Sequence, residues 1–143
     1  MNKHLKSQYG FTNFRDFQKE IIEDVIVGKD SIVIFPTGGG KSLCYQYPAT
    51  YLNKKSIIIS PLISLMTDQQ LHLTQRGIKC ICLNSETKNS INKRLLNSSK
   101  KKAPTELEKA NVIYCTPEFF SSNLILFKSL KDICMFAIDE AHC

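Results

Sequence analysis

One short segment constrains this chain more than any other: Phe35 to Ser42, which reads FPTGGGKS. An apolar run (Ile32, Val33, Ile34, Phe35) leads into it, and residues suited to a helix follow. Gly38, Gly39 and Gly40 carry no Cβ and tolerate positive φ, so the loop can turn its backbone N–H groups inward around an anion. A helix starting at Lys41 adds unpaired N–H groups and a partial positive charge. The Lys41 ammonium suits β- and γ-phosphates, and the Ser42 hydroxyl suits Mg²⁺. Strand, glycines, Lys-Ser and helix in that order predict a nucleoside-triphosphate cradle. One departure stands out, because the general pattern opens with Gly and this chain has Phe35 there.

The rest of the chain alternates short apolar runs with amphipathic stretches. A helix is expected from about Phe14 to Val27, capped by Thr12 or Asn13 and stopped by Gly28. Its apolar face is Phe14, Phe17, Ile21, Ile22, Val25 and Ile26. Ser31 to Phe35 is a buried strand, and a helix runs from Lys41 to about Leu52. Ser56 to Ser60 is a second strand, after which Pro61 opens a helix that reaches Arg76 and stops at Gly77. Ile78 to Leu83 and Asn111 to Cys115 are further strands. Thr105 with Glu108 suits a short capping box, and Pro117 starts another helix. Ile133 to Ile138 is the fifth strand, running directly into Asp139-Glu140-Ala141-His142. Residues Met1 to Gly10 are polar and read as a loose segment.

Strands alternating with helices predict an α/β fold, a mostly parallel sheet with helices on both faces. Ligands in such sheets bind at the carboxyl ends of the strands. Phe35, Ser60, Cys115 and Ile138 each end a strand and are followed at once by PTGGGKS, PLISLMTDQ, TPE and DEAH. These strand ends define one active edge. There Asp139 suits a metal, since Mg²⁺ prefers hard oxygen ligands, and Glu140 suits the orienting of an attacking water.

Composition adds limits. The chain has 143 residues, enough for one domain with its own core. No apolar run approaches the ~20 residues of a membrane span, and Met1 to Gly10 lacks the apolar centre of a secretory signal. The six cysteines form no CxxC pair. Cys80 and Cys82 alternate within a strand, so both thiols face one side, which suits a zinc site poorly. Net charge is +6, and six basic residues with no acidic one lie between Lys88 and Lys102. Such a segment suits a phosphate backbone, but it equally suits a solvated surface excursion.

Together these motifs resemble the RecQ-type DNA helicases of the second large helicase superfamily. Phe35 to Gln46 (FPTGGGKSLCYQ) is similar to that family's first motif, in which an apolar residue commonly stands at the position of Phe35. Ser60-Pro61-Leu62-Ile63-Ser64-Leu65-Met66 with Asp68-Gln69 resembles the next, and Thr116-Pro117-Glu118 the one after. Asp139-Glu140-Ala141-His142-Cys143 resembles the DEAH box, and Phe14-Arg15 with Gln18 the adenine-recognition motif. The family's small or polar residues before that glutamine are replaced here by Asp16 and Phe17.

The resemblance implies a RecA-like P-loop lobe over residues 11–143, with a basic insert at about 86–104, after a flexible segment 1–10. It implies that Gln18 bonds the adenine edge, that Phe11 stacks on the ring, and that Arg15 supports the pocket or approaches the phosphates. Thr37, Gly38, Gly39, Gly40, Lys41 and Ser42 would hold ATP, Ser42 and Asp139 the Mg²⁺, and Glu140 the hydrolytic water. His142 would link the nucleotide to DNA. Ser60, Pro61, Leu62, Thr116, Pro117 and Glu118 would touch single-stranded DNA at a duplex junction, without reading bases. Activity would be 3′-to-5′ unwinding in the nucleus, or in the cytoplasm or nucleoid of a prokaryote, with no membrane partner.

The sequence stops at Cys143, so the sheet is expected to be incomplete and a second RecA-like lobe with its arginine finger to be missing. An arginine in trans contributes ~10³–10⁵ in rate in related P-loop systems. The chain alone is therefore expected to bind ATP weakly and to hydrolyse it very slowly. Two alternatives stay open. One is a lobe of a DEAD-box RNA helicase, although those enzymes normally carry aspartate where His142 stands. The other is a catalytically silent module that binds ATP or DNA.

Overall fold

In the computed structural model, residues 2–29, 41–84 and 105–139 are described. The expected strand Ser31–Phe35, the glycines of the phosphate loop, the basic segment 86–104 and the tail from Glu140 onward lie outside them. Among the described residues four parallel strands form one sheet: β1 (Lys55–Ile59), β2 (Cys80–Leu83), β3 (Val112–Cys115) and β4 (Ile133–Ile138). Their spatial order is β2-β3-β1-β4.

Seven helices are described: α1 (Asn2–Tyr9), α2 (Asp16–Ile26), α3 (Ser42–Leu52), α4 (Ile63–Gln75), α5 (Thr105–Lys109), α6 (Pro117–Ser122) and α7 (Leu124–Lys128). They cover both faces of the sheet. Ile58, Val112, Tyr114 and Cys80 point to one side, where they pack with Leu5 of α1, Ile22 of α2, Leu43 of α3 and Met66 and Leu73 of α4. Their strand neighbours Ile57, Ile113, Cys115 and Leu83 point to the other, against Leu107 of α5, Phe119 of α6 and Phe127 of α7. The two-residue period of a strand therefore builds two cores at once. It also explains why the strands read as uninterrupted apolar runs. Each fully buried isoleucine, such as Ile57 or Ile58, contributes about 1.5–3 kcal/mol. Cys80 and Cys82 do share a face, since both belong to the first core.

The helix stops fall where glycine was expected. Gly77 has φ +78°, its N–H donates to Thr74 O at 3.0 Å, and Ile78 N–H donates to Leu73 O at 2.9 Å. This paired closure needs a left-handed residue, which Gly adopts without strain; Asn53, at φ 52°, makes the same closure after α3.

Two expectations are corrected. The segment expected to be loose is helical over its described part: α1 occupies Asn2–Tyr9, with Leu5 and Tyr9 buried in the first core. The Tyr9 hydroxyl meets Thr50 Oγ1 at 2.9 Å, and Thr50 Oγ1 donates to Tyr47 O at 3.0 Å. Two apolar residues four apart are enough to anchor a helix when a core awaits them. The next helix begins at Asp16 rather than Phe14, with Arg15 as its N-cap in place of Thr12 or Asn13. Glu108, expected in a capping box with Thr105, also makes an ion pair with the sheet. Its carboxylate lies 3.2 Å from the Nζ of Lys55, which also donates to Lys131 O at 2.9 Å.

Candidate functional site

Three strand ends meet side by side. The N–H of Asp139 donates to Ile59 O at 2.9 Å, that of Ser60 to Cys115 O at 3.0 Å, and that of Thr116 to Leu83 O at 3.2 Å. These bonds extend the sheet ladder one residue beyond each strand, so the residues after β4, β1 and β3 share one edge. The fourth expected strand end, after Phe35, lies outside the described residues.

On this edge Asp139 is buried, only 7% exposed. Lys41 Nζ lies 2.9 Å from its Oδ1, and the Tyr45 hydroxyl donates to its Oδ2 at 3.1 Å. Both partners come from the helix that leaves the phosphate loop. Lys41 is its N-cap, and Tyr45 follows four residues later on the same face. Burial pushes the Tyr45 phenol well above its ordinary value, with the Tyr114 phenol and the Asp139 carboxylate adding to the shift. The hydroxyl thus stays protonated and remains a donor.

A cleft of about 350 Å³ opens beside this cluster, between the start of α2 and the faces of α3 and α4. Phe11, Arg15, Gln18, Ser42 and Gln46 line it, together with His72 and Arg76 from α4. Phe11, Arg15 and Gln18, expected at a nucleotide base, therefore share a cavity with Ser42, expected at the phosphates. Phe11 is 54% exposed at the rim, whereas Gln18 is buried. Gln18 Oε1 accepts from Arg15 N–H at 2.9 Å, so this glutamine also caps the helix that presents it.

The segments expected at nucleic acid show a division of labour that sequence alone did not predict. Ser60 is 1% exposed and Thr116 4%. Ser60 Oγ accepts from Leu62 N–H at 3.3 Å, and Thr116 Oγ1 caps α6 by accepting from Phe119 N–H at 3.2 Å. Both hydroxyls thus hold local turns, while Pro61, Leu62 and Glu118 are exposed. The N-cap of α4, Leu62, supplies no side-chain bond to that helix's first N–H groups. Thr37, Gly38, Gly39, Gly40, Glu140 and His142 lie outside the described residues.

Sequence reasoning assigned no role to Tyr45, Gln46, His72 or Arg76. Tyr45 and Gln46 were legible in principle, because they stand four residues after Lys41 and Ser42 and so share their helix faces. His72 and Arg76 carried no such signal, since only the packing of α4 brings them to the cleft.

A parallel sheet whose strand-end carboxylate faces a Lys-Ser helix start defines a RecA-like lobe of the P-loop class. The chain belongs to the DEAD/DEAH box helicase family, whose model matches residues 15–143. The likeness to RecQ-type helicases is met among its relatives. The bifunctional 3′-5′ exonuclease/ATP-dependent helicase WRN of Mus musculus is 40% identical over 97% of this chain and 10% of its own length. The ATP-dependent DNA helicase RecQ of Haemophilus influenzae is 38% identical over 97% of this chain and 22% of its own. R290 of Acanthamoeba polyphaga mimivirus, which carries an ATP-dependent RNA helicase name, is 44% identical over 100% of this chain and 25% of its own. The chain thus spans a quarter or less of each of these three. In structure, it is similar to the DUF1998 helicase MrfA, solved with DNA and AMPPNP, at a TM-score of 0.71. That match covers 98% of this chain and 20% of MrfA at 22% identity, and it speaks for the fold alone.

Proposed function

We propose that this chain is the first motor lobe of an ATP-dependent DNA helicase, working with a second RecA-like lobe to couple ATP hydrolysis to 3′-to-5′ unwinding. The observation that carries this reading is the contact of Lys41 with Asp139 at the strand edge, beside a cleft lined by Gln18, Arg15 and Ser42. Adenine would enter between Phe11 and Gln18, and its phosphates would run toward Lys41 and Ser42. Lys41 now neutralises the buried Asp139 carboxylate, so a cation already stands where Mg²⁺ would be needed. The donor set fits that ion, because Asp139 and Ser42 offer hard oxygens and Mg²⁺ takes its remaining ligands from phosphates and water. When bound, the ion supplies charge neutralisation at the β- and γ-phosphates. Lys41 would exchange its carboxylate for a phosphate, Tyr45 would keep Asp139 aimed, and Glu140 would orient the attacking water. His142 would link this site to DNA.

Single-stranded DNA at a duplex junction would lie along the same edge. Since the Ser60 and Thr116 hydroxyls hold turns, its phosphates would meet the first N–H groups of α4, the exposed flanks at Pro61, Leu62 and Glu118, and the half-buried Pro117. Among the described residues no helix is long and apolar enough to cross a membrane. A DNA partner would put the protein in the nucleus or, in a prokaryote, in the cytoplasm or nucleoid.

Binding of a fluorescent ATP analogue with and without Mg²⁺ tests the reading. Mg²⁺-dependent binding that Lys41→Ala abolishes is expected, whereas binding insensitive to Lys41→Ala and Asp139→Asn would overturn it. The name of the R290 relative keeps an RNA substrate as a second reading. Stronger stimulation of ATP turnover by single-stranded RNA than by DNA would select it. Salt-dependent DNA binding with no ATP binding would instead mark a silent module.

A further inference from the structure

We infer that Gln46 is a positioning residue that ties the nucleotide cleft to both strand-end segments proposed to contact nucleic acid. This rests on the function proposed above. Gln46 is 5% exposed, and its Nε2 donates to Gln69 Oε1 of α4 and to the Tyr114 hydroxyl of β3, each at 2.9 Å. A primary amide has two N–H donors, and both are used. The side chain is therefore fixed against two elements besides its own.

Each of those elements leads to a different part of the edge. Gln46 lies one helical turn after Ser42, and both side chains line the cleft. Gln69 sits on the helix that starts directly after Ser60-Pro61-Leu62, and it also lines the cleft. Tyr114 stands two residues before Thr116-Pro117-Glu118 on a strand whose register is fixed by β1 and β2. A shift of α3 on filling of the cleft thus changes the geometry of both bonds together. The bond to Tyr114 is buried and that to Gln69 half-buried, so water replaces neither at low cost and the strain passes to α4 and β3. Shape alone would be satisfied by Leu or Met at this position; the paired donors are what an apolar residue lacks.

Nucleotide and DNA affinities must then be linked, each ligand changing the other's affinity by one common factor. The test measures binding of a fluorescent, non-hydrolysable ATP analogue with and without oligo-dT, and the reciprocal titration, on the protein and its variants. The unaltered protein should show a factor of about 5 or more. Gln46→Met, which keeps the length but removes both donors, should bring that factor to within about twofold of unity. Tyr114→Phe, which removes one acceptor without changing shape, should give an intermediate factor and keeps the test open if Gln46→Met does not fold. A merely structural glutamine would lower the melting temperature and leave the factor unchanged, and that result overturns the inference. A factor of one in the unaltered protein does so too. Failure of the unaltered protein to bind either probe would instead refute the proposed function itself.

Discussion

Replacing Tyr45 by Phe isolates one bond in the cluster that holds Asp139. The two side chains have the same shape, so no cavity forms in the first core, where the Tyr45 ring packs. What disappears is a hydrogen bond of 3.1 Å to a carboxylate that is 7% exposed. A bond to a charged group contributes about 1.5–3 kcal/mol, and relief from burying the hydroxyl offsets part of it, leaving a net loss of about 1–2 kcal/mol. At about 2–4 °C per kcal/mol for a chain of this size, the melting temperature should fall by about 2–8 °C. Urea unfolding at pH 7 should show a lower midpoint with an unchanged slope, since the exposed surface is the same. A midpoint within error of the unaltered protein would refute the reasoning. It would mean that the carboxylate is positioned without the phenol and that the phenol bond is not formed in solution.

Alkali should weaken the fold in a defined window. Burial pushes the Cys44 thiol up to about 11 and the Cys115 thiol up to about 12, and it drives the Tyr9, Tyr45 and Tyr114 phenols upward too. Raised folded values mean that this stability is complete below the unfolded thiol range, near ~8.5, and is lost as pH rises above it. Urea midpoints should therefore fall from about pH 9 upward, and a midpoint constant to pH 11 would contradict the burial. The pair between Lys55 and Glu108 predicts an asymmetry. Glu108→Ala leaves a buried ammonium with its carbonyl partner alone and should cost about 3 kcal/mol, whereas Lys55→Met removes the buried charge and should cost less. Equal losses in urea unfolding would count against it. Gly77→Ala meets no atom within 4 Å but must hold φ +78°. It should cost about 1–2 kcal/mol from backbone strain alone, read as a lower melting temperature.

Much of this lobe was legible before any coordinates, and for identifiable reasons. Strands buried on both faces must be apolar throughout, so SIIIS and NVIYC announced β1 and β3; ICMFAI announced β4 by its apolar run alone, since β4 ends the described sheet and leaves Phe136 and Ile138 exposed. Gly28 and Gly77 marked the ends of α2 and α4, because a left-handed closing residue favours glycine. Polar sequence after successive strands pointed to one edge, and the bonds from Asp139, Ser60 and Thr116 place three of those ends together. These are local properties, carried by a few consecutive residues.

The tertiary structure decided what depends on residues distant in the chain. The order β2-β3-β1-β4 follows from no single strand's composition, since each apolar run could pair with any other. α1 holds as a helix because Leu5 and Tyr9 find a core, not because its polar sequence favours one. The Ser60 and Thr116 hydroxyls were available on paper, yet the turns they cap have claimed them. Lys41 and Ser42 were recognisable as phosphate ligands from their neighbours alone. That Tyr45 bonds a carboxylate 94 residues away, and that Gln46 bridges α4 and β3, required the helix to be packed on the sheet. Sequence names the chemistry a residue can do; packing decides which partner it meets.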